Sequence, residues 1–335
     1  MPGKNNTDNF WFILMKPSAK VLSLLVVLIA AAPGWADADA PSWAYPVNPP
    51  GAPPAVDEGK LQRVPESTRT FTQREIAAIA EQPPDWHPQE HPAMPGIVGR
   101  SREPKVYACA YCHLPNGAGR PENASLAGLS ANYIKTQIAV FREGKRLGSE
   151  PRRGPQTNMI TIAKALSDVE IEQAAAYFAA LPAVSYIKVI ESPVAPRTVV
   201  AGWMLTTVPG AGTEPIGSRI VEVAPDPERF ENRDSHTPYV VYVPVGSLAR
   251  GADLVTTGGA GRTLPCAVCH GPDLKGLVDV PRIAGRSPSY LFRQLYDLHG
   301  ATRTGAASEL MKPVVANLTE ADMLSIAAYL ASRQP

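Results

Sequence analysis

The sequence predicts a mainly α-helical protein that contains two copies of one small domain. Residue types recur along the 335-residue chain at a nearly constant offset, and each copy ends in a helical pattern with one apolar face. At roughly 150 residues per domain, the length fits two domains. Proline, with 35 residues, is about twice as frequent as usual, so long uninterrupted helices are excluded.

The repeat is found by counting residues from one copy to the other. An offset of 157 relates Cys109 to Cys266, His113 to His270, Pro115 to Pro272, Gly128 to Gly285, Ser130 to Ser287, Tyr133 to Tyr290, Gln137 to Gln294 and Arg146 to Arg303. An offset of 152 then relates Met159 to Met311, Leu166 to Leu318, Ser167 to Thr319, Glu170 to Asp322 and Tyr177 to Tyr329. Ser167 with Glu170 is typical of a helix capping box, and Thr319 with Asp322 is a weaker version.

The repeat divides the chain into five segments. They are a signal peptide region (1–40), a proline-rich extension (41–95), domain 1 (96–183), a β-rich insert (184–243) and domain 2 (244–335). The insert is rich in β-branched and aromatic residues between Pro and Gly, which predicts short strands. A short amphipathic helix is predicted over residues 72–81, and domain 2 is expected to begin with a helix over 247–255. Domain 1 has prolines and glycines in the corresponding place.

The N-terminus has the features of an export signal. An apolar run of 12 residues (21–32) follows Lys16 and Lys20 and precedes A-x-A patterns at Ala36, Ala38 and Ala40. Such a run is short for a membrane span and typical of a signal peptide, which predicts a periplasmic protein. The alternative is an uncleaved membrane anchor.

All four cysteines belong to two C-x-x-C-H motifs, at Cys109, Cys112 and His113 and at Cys266, Cys269 and His270. This motif is the attachment signature of c-type haem: two thiols within about one helical turn bond the vinyl groups, and the next residue places an imidazole under the iron. A thioredoxin-like pair would not need the histidine, and a zinc site would not explain the repeat. The sequence therefore predicts two covalently attached haem c groups.

Each iron then has a second axial position. Met159 and Met311 occupy equivalent places before the final helix of each copy, in segments expected to be loops, and a thioether there raises the reduction potential. We therefore expect His113 and Met159 to bind one iron, and His270 and Met311 the other. Each imidazole should donate its second N–H to a backbone carbonyl, for which turns at Pro115 and Pro272 are candidates.

Tyr133, Tyr290, Arg146 and Arg303 are candidates for contacts to the haem propionates. The alternatives are packing for the tyrosines and solvent exposure for the arginines. His87 and His91 are separated by prolines that prevent a shared helical face, and His236 and His299 have no repeat partner. None of these four histidines is assigned to a metal. The net charge of +1 argues against a nucleic-acid partner.

The ordered set of haem motif, A-G-x-S-x-x-Y, distal methionine and final helix resembles the two-domain dihaem members of the class I cytochrome c family. The matching pieces are CAYCH, LAGLSANYIKTQIAVFREGKR and TNMITIAKALSDVEIEQAAAYFAAL in copy one. In copy two they are CAVCHG, IAGRSPSYLFRQLYDLHGATR and ELMKPVVANLTEADMLSIAAYLA. The resemblance covers roughly residues 96–183 and 244–335. It implies small all-helical domains that each enclose one haem and shuttle electrons in the periplasm.

We therefore expect an electron-transfer protein that is not itself an enzyme. Its donor and acceptor are expected to be redox proteins, such as a membrane respiratory complex or a periplasmic dehydrogenase. Two alternatives stay open. One is a dihaem enzyme, peroxidase-like or thiosulfate-oxidising, in which His87, His91 or His236 ligates one iron differently. The other is the haem subunit of a larger dehydrogenase.

Overall fold

The computed structural model of this protein describes residues 39–51 and 59–335. Almost all of the predicted signal peptide lies outside these residues. Among the residues that are described, no helix is long and apolar enough to cross a membrane.

The described residues are mainly helical, with a group of short strands between two helical parts. The helices are α1 (Gln73–Ala77), α2 (Gly96–Gly99), α3 (Cys109–His113), α4 (Ala131–Arg142), α5 (Gly154–Ala165), α6 (Asp168–Ala180), α7 (Pro227–Glu231), α8 (Ser247–Thr257), α9 (Ala267–His270), α10 (Pro288–His299), α11 (Ala306–Glu309), α12 (Lys312–Val315) and α13 (Glu320–Ala331). A 3₁₀ turn spans Pro88–Glu90.

The strands are β1 (Leu61–Gln62), β2 (Phe71–Thr72), β3 (Ile187–Glu191), β4 (Val194–Pro196), β5 (Thr198–Ala201), β6 (Met204–Thr207), β7 (Thr213–Pro215), β8 (Val221–Val223) and β9 (Tyr239–Val243). A three-stranded sheet has the order β3-β9-β8, with β3 and β9 parallel and β8 antiparallel to β9. The antiparallel pairs β1-β2, β4-β7 and β5-β6 complete the sheets. Strands thus form where β-branched residues cluster.

The first helical part packs α4, α5 and α6 around one core. Ser130 begins α4 by accepting a hydrogen bond from the Tyr133 amide, and Ser167 begins α6 in the predicted capping box with Glu170. Phe178 on α6 is 1% exposed and lies in the core cluster with apolar residues of α4 and α5. The short α2 is a single turn, since its glycines and the preceding prolines leave only Ile97 and Val98 to bury.

The second helical part has a full first helix. The predicted helix over 247–255 is present as α8, which continues to Thr257 and ends at Gly258 in the left-handed conformation. Helix α8 crosses α13 closely, because a Cβ at Gly251 would lie 2.0 Å from the Ser325 carbonyl oxygen. Thr319 and Asp322 form a complete capping box at the start of α13.

The helix predicted over 72–81 is shorter than expected. It begins at the Thr72 capping box but ends at Ala77, where the Ile79 amide turns back to the Ala77 carbonyl. Only Ile76 of this helix is buried, so packing does not stabilise a further turn.

The proline-rich extension packs against the rest of the chain. Trp43 lies against Phe292 of α10, with ring centroids 4.5 Å apart, and Tyr45 Oη donates to Asp297 Oδ1 at 2.7 Å. Trp86 Nε1 donates to the Asn232 carbonyl at 2.7 Å. The extension therefore contacts both the second helical part and the segment between the helical parts.

We predict that Gly251→Ala lowers the free energy of unfolding by about 1–3 kcal/mol, because the added methyl forces α8 away from α13. Guanidinium unfolding followed by far-ultraviolet circular dichroism measures this change. Gly96→Ala is the control, since a Cβ at Gly96 meets no atom within 4 Å. Equal stability of the two variants would contradict the close crossing.

We predict that Glu170 makes a pH-dependent contribution to the free energy of unfolding. Its pKa falls to about 2 because Arg102 and the α6 cap stabilise its carboxylate. This stabilisation is present above the ordinary carboxyl pKa of about 4.3 and disappears as the pH falls toward 2. Glu170→Gln should therefore cost up to about 1 kcal/mol at pH 7 and almost nothing near pH 2. Glu172→Gln, on an exposed pair with Lys135, should show no such trend.

Candidate functional site

The first C-x-x-C-H motif forms the single-turn helix α3. Cys109 and Cys112 lie one turn apart on it, and His113 is its last residue. His113 Nδ1 lies 2.7 Å from the Ala124 carbonyl oxygen. With the proton on Nδ1, this bond fixes the ring and leaves the Nε2 lone pair available as a metal ligand.

The second motif repeats this arrangement. His270 ends the short helix α9, and its Nδ1 lies 2.8 Å from the Pro281 carbonyl oxygen. In both copies the acceptor follows the histidine by 11 residues. The expectation that turns at Pro115 and Pro272 supply the carbonyl is therefore wrong. The Pro115 carbonyl instead accepts from Tyr177 Oη at 2.7 Å.

Burial favours the neutral form of both imidazoles. It lowers the pKa of His113 and of His270, while the hydrogen bonds to Ala124 and Pro281 oppose that change. A neutral imidazole is the form that ligates a metal.

One cavity brings together several residues that the sequence singles out. Its wall includes Cys109, Cys112, His113, Tyr133, Arg146, Met159 and Tyr290. The apolar part of the wall includes Leu126, Leu129, Ile134, Ile138, Phe141, Ile162, Leu166 and Phe178. This mixture of an apolar lining and a few polar groups suits a flat, largely apolar ligand.

The two methionines differ in their surroundings. Met159 lies within α5 and not in a loop as expected, because residues 154–165 form a continuous helix that ends at Leu166. Met311 precedes α12 and is partly buried. Met159 lines the same cavity as His113, whereas the ligand role of Met311 stays a prediction.

Four buried arginines line the cavity, against two carboxylates, Glu122 and Asp297. Arg146, Arg153, Arg286 and Arg293 line it and are each at most 8% exposed. Within the described part of the chain, none of the four lies within 4 Å of a carboxylate oxygen, and Arg286 Nε has no hydrogen-bond partner. Buried cations need counter-charges, and the two propionates of a haem are such charges. The residues therefore fit a haem.

The sequence comparison of the copies missed Arg153, Arg286 and Arg293. None of them has an arginine at the equivalent place in the other copy, so the repeat contained no signal for them. Burial lowers the pKa of Arg153 to about 9, which reflects how little water reaches this side of the cavity.

A symmetric cluster joins the two helical parts. Arg146 Nη2 donates to Tyr290 Oη and Gln294 Oε1, both at 2.9 Å. In the reciprocal contacts, Arg303 Nη2 donates to Tyr133 Oη at 3.4 Å and to Gln137 Oε1 at 3.1 Å. Each arginine thus bonds the tyrosine and the glutamine of the other copy, and the two sets of contacts are equivalent, as in a twofold interface. Burial opposes ionisation of Tyr290, but Arg146, Arg286 and Arg303 outweigh it and lower its pKa to about 8.

The two motifs differ in exposure. Tyr111 is 6% exposed, because the Arg233 guanidinium lies 3.7 Å from its ring centroid and donates to its carbonyl oxygen at 2.8 Å. Val268, at the same position of the second motif, is 71% exposed. The segment before β9 therefore covers the first motif and leaves the second open.

The cysteines lack the properties of a redox or zinc site. Burial raises the pKa of Cys109 to about 12 and that of Cys266 to about 11, whereas reactive thiols have a lowered pKa. Among residues 39–51 and 59–335, no group of three or more metal-ligand side chains includes a cysteine.

The histidines considered as alternative iron ligands do not line the cavity. His87 Nε2 lies 2.9 Å from Asp234 Oδ1, and His91 Nε2 lies 3.2 Å from Asp85 Oδ1. His236 lies between carboxylates of Glu66 and Glu90.

The chain is similar to known cytochromes c. The family model described as cytochrome c matches residues 104–182. A thiosulfate dehydrogenase electron acceptor of Stutzerimonas stutzeri is 27% identical over 233 residues, which are 68% of this chain and 80% of that protein.

Two smaller matches lie within the same family. Cytochrome c-554(548) of Halomonas halodenitrificans is 32% identical over 90 residues, which are 27% of this chain and 99% of that protein. Cytochrome c4 of Thiocapsa roseopersicina is 38% identical over 69 residues, which are 20% of this chain and 34% of that protein. With the attachment motifs and the cavity, these matches make the chain a member of the dihaem class I cytochrome c family, an electron-transfer cytochrome with covalently bound haem c groups.

Proposed function

We propose that each C-x-x-C-H motif of this cytochrome holds one haem, with His113 and Met159 as the axial ligands of one iron and His270 and Met311 as those of the other. The observation that carries the proposal is the cavity shared by Cys109, Cys112, His113 and Met159. The sequence repeat extends the assignment to Cys266, Cys269, His270 and Met311.

The haem iron supplies the chemistry, since it takes up and releases one electron. The surrounding residues hold the site in one geometry for both oxidation states. The hydrogen bonds to Ala124 and Pro281 keep each imidazole in place, and the apolar wall excludes water. Little rearrangement then accompanies electron transfer.

We further propose that Arg146, Tyr133, Arg303 and Tyr290 contact the propionates, together with Arg286. Their reciprocal hydrogen bonds lie at the junction of the two helical parts. If both haems contact this cluster, the cluster would link the two haem sites and support electron exchange between them.

The proposed architecture has domain 1 over 96–183, the insert over 184–243 and domain 2 over 244–335. The placement of β3 to β9 between α6 and α8 supports these limits. Because the segment before β9 covers Tyr111 while Val268 is exposed, the second haem is the one that exchanges electrons with a partner.

The proposed partner is a dehydrogenase, and the name of the Stutzerimonas stutzeri relative makes a thiosulfate-oxidising enzyme the first donor to examine. The apolar run at 21–32 supports export, with the electrons exchanged in the periplasm. The acceptor would be a second redox protein, such as a membrane respiratory complex. Redox contacts of this kind are small and transient.

We predict that the purified holoprotein carries two haem groups by mass and shows a ferric charge-transfer band near ~695 nm from both haems. Met159→Ala and Met311→Ala should each remove about half of this band, because each deletes one axial sulfur. Met323→Leu is the control, since Met323 is fully buried in α13 and its counterpart in the first copy is Ile171, not a methionine. An unchanged band in both alanine variants would refute the ligand assignment.

We predict that Arg146→Gln lowers the reduction potential of one haem, because a cation near the propionates favours the reduced state. A loss of about 1 kcal/mol corresponds to roughly 40 mV for a one-electron couple. Redox-monitored optical titration measures this shift. Arg152→Gln is the control, since Arg152 is exposed and pairs with Glu150. Identical potentials for both variants would contradict the propionate contact.

A further inference from the structure

Three side chains of ligand type meet outside the haem cavity, where the extension packs against the insert. They are His87, Glu90 and His236, and one ligand atom of each lies within 4.8 Å of the others. His87 precedes a 3₁₀ turn and Glu90 is its last residue, so the two side chains lie on the same side of that turn. His236 comes from the loop before β9.

We propose that His87, Glu90 and His236 form a binding site for one divalent transition-metal ion, zinc in the first instance. Two imidazoles and a carboxylate are a donor set that zinc accepts, with water in the fourth position. The site is independent of the two haems. Its ion would join the proline-rich extension to the insert.

His87 carries an unsatisfied ligand atom. The side chain is 2% exposed, and its Nδ1 is buried with no hydrogen-bond partner. Its other nitrogen, Nε2, lies 2.9 Å from Asp234 Oδ1. If Nε2 donates its proton to Asp234, the Nδ1 lone pair is free, and a buried lone pair without a partner is costly. A metal-binding histidine commonly donates a hydrogen bond from its second ring nitrogen to a carboxylate, which fixes the orientation of the ring.

His236 also contacts a carboxylate with the ring nitrogen that would not bind the metal. Its Nδ1 lies 3.2 Å from Glu66 Oε2, and its Nε2 lies 2.6 Å from Glu90 Oε2. A neutral imidazole donates only one hydrogen bond, so it cannot satisfy both carboxylates. Either a second proton or a metal ion on Nε2 resolves this conflict. With a metal ion, Nδ1–H donates to Glu66, and Nε2 and Glu90 both act as ligands once they move apart from 2.6 Å.

The site requires one movement. The rings of His87 and His236 are stacked, with centroids 3.9 Å apart and an angle of 9° between their planes. A metal bonds an imidazole in the plane of the ring, so one ring has to turn. His236 is the ring that turns, because its side chain is 14% exposed whereas that of His87 is enclosed. The exposed carboxylates of Glu66 and Glu90 have to move with the ring to keep their contacts.

The test is zinc binding to the holoprotein, in which haem attachment blocks the cysteines. Equilibrium dialysis against zinc chloride with elemental analysis should give one zinc ion per chain. Glu90→Gln and His236→Gln should each weaken binding at least about tenfold. Glu90 is exposed, so its replacement leaves the fold intact, and the visible haem spectrum confirms this for both variants.

The matched control is Glu81→Gln, an exposed glutamate on the same segment outside the cluster, which should bind zinc as the wild type does. Absence of stoichiometric zinc from the wild type overturns the proposal. Equal zinc affinity in the wild type and in the Glu90 and His236 variants also overturns it. Neither result affects the haem assignment, which the spectra of the methionine variants decide separately.

Discussion

The fixed orientation of two buried imidazoles is the constraint on which the rest of this structure depends. Each imidazole is held by a hydrogen bond from its Nδ1 to a carbonyl 11 residues further along. That carbonyl lies in the loop that follows the motif, so the loop has to fold back under the ring. At the first motif, apolar residues of α4, α5 and α6 line the cavity that faces His113.

Charge is the second constraint. Four arginines are buried in the wall of the first cavity, where Glu122 and Asp297 are the carboxylates that oppose part of their charge. In the proposed assignment, haem propionates would supply further negative charge to this cationic wall. Arg146, Arg286 and Arg293 also donate hydrogen bonds from one helical part to the other.

The two haem sites share a design but differ in their surroundings. The extension and the insert cover Tyr111 of the first motif, through the Ala77 carbonyl and through Arg233, whereas Val268 of the second motif is exposed. This difference is the basis for proposing that a redox partner docks at the second motif. The His87 and His236 pair lies in this covering layer and not in either haem site.

The sequence by itself determined the features that depend on local spacing. The C-x-x-C-H motifs, the capping boxes at Ser167 and Thr319 and the strands of the insert follow from residue types a few positions apart. The carbonyl partner of His113, the helical setting of Met159 and the position of Arg286 in the cavity wall depend on contacts between separate segments of the chain. Only the tertiary structure decided them, because hydrogen bonding and burial of distant residues have no periodic signal in one sequence. The same reason explains why His236, 149 residues after His87, could not be recognised beforehand as its neighbour.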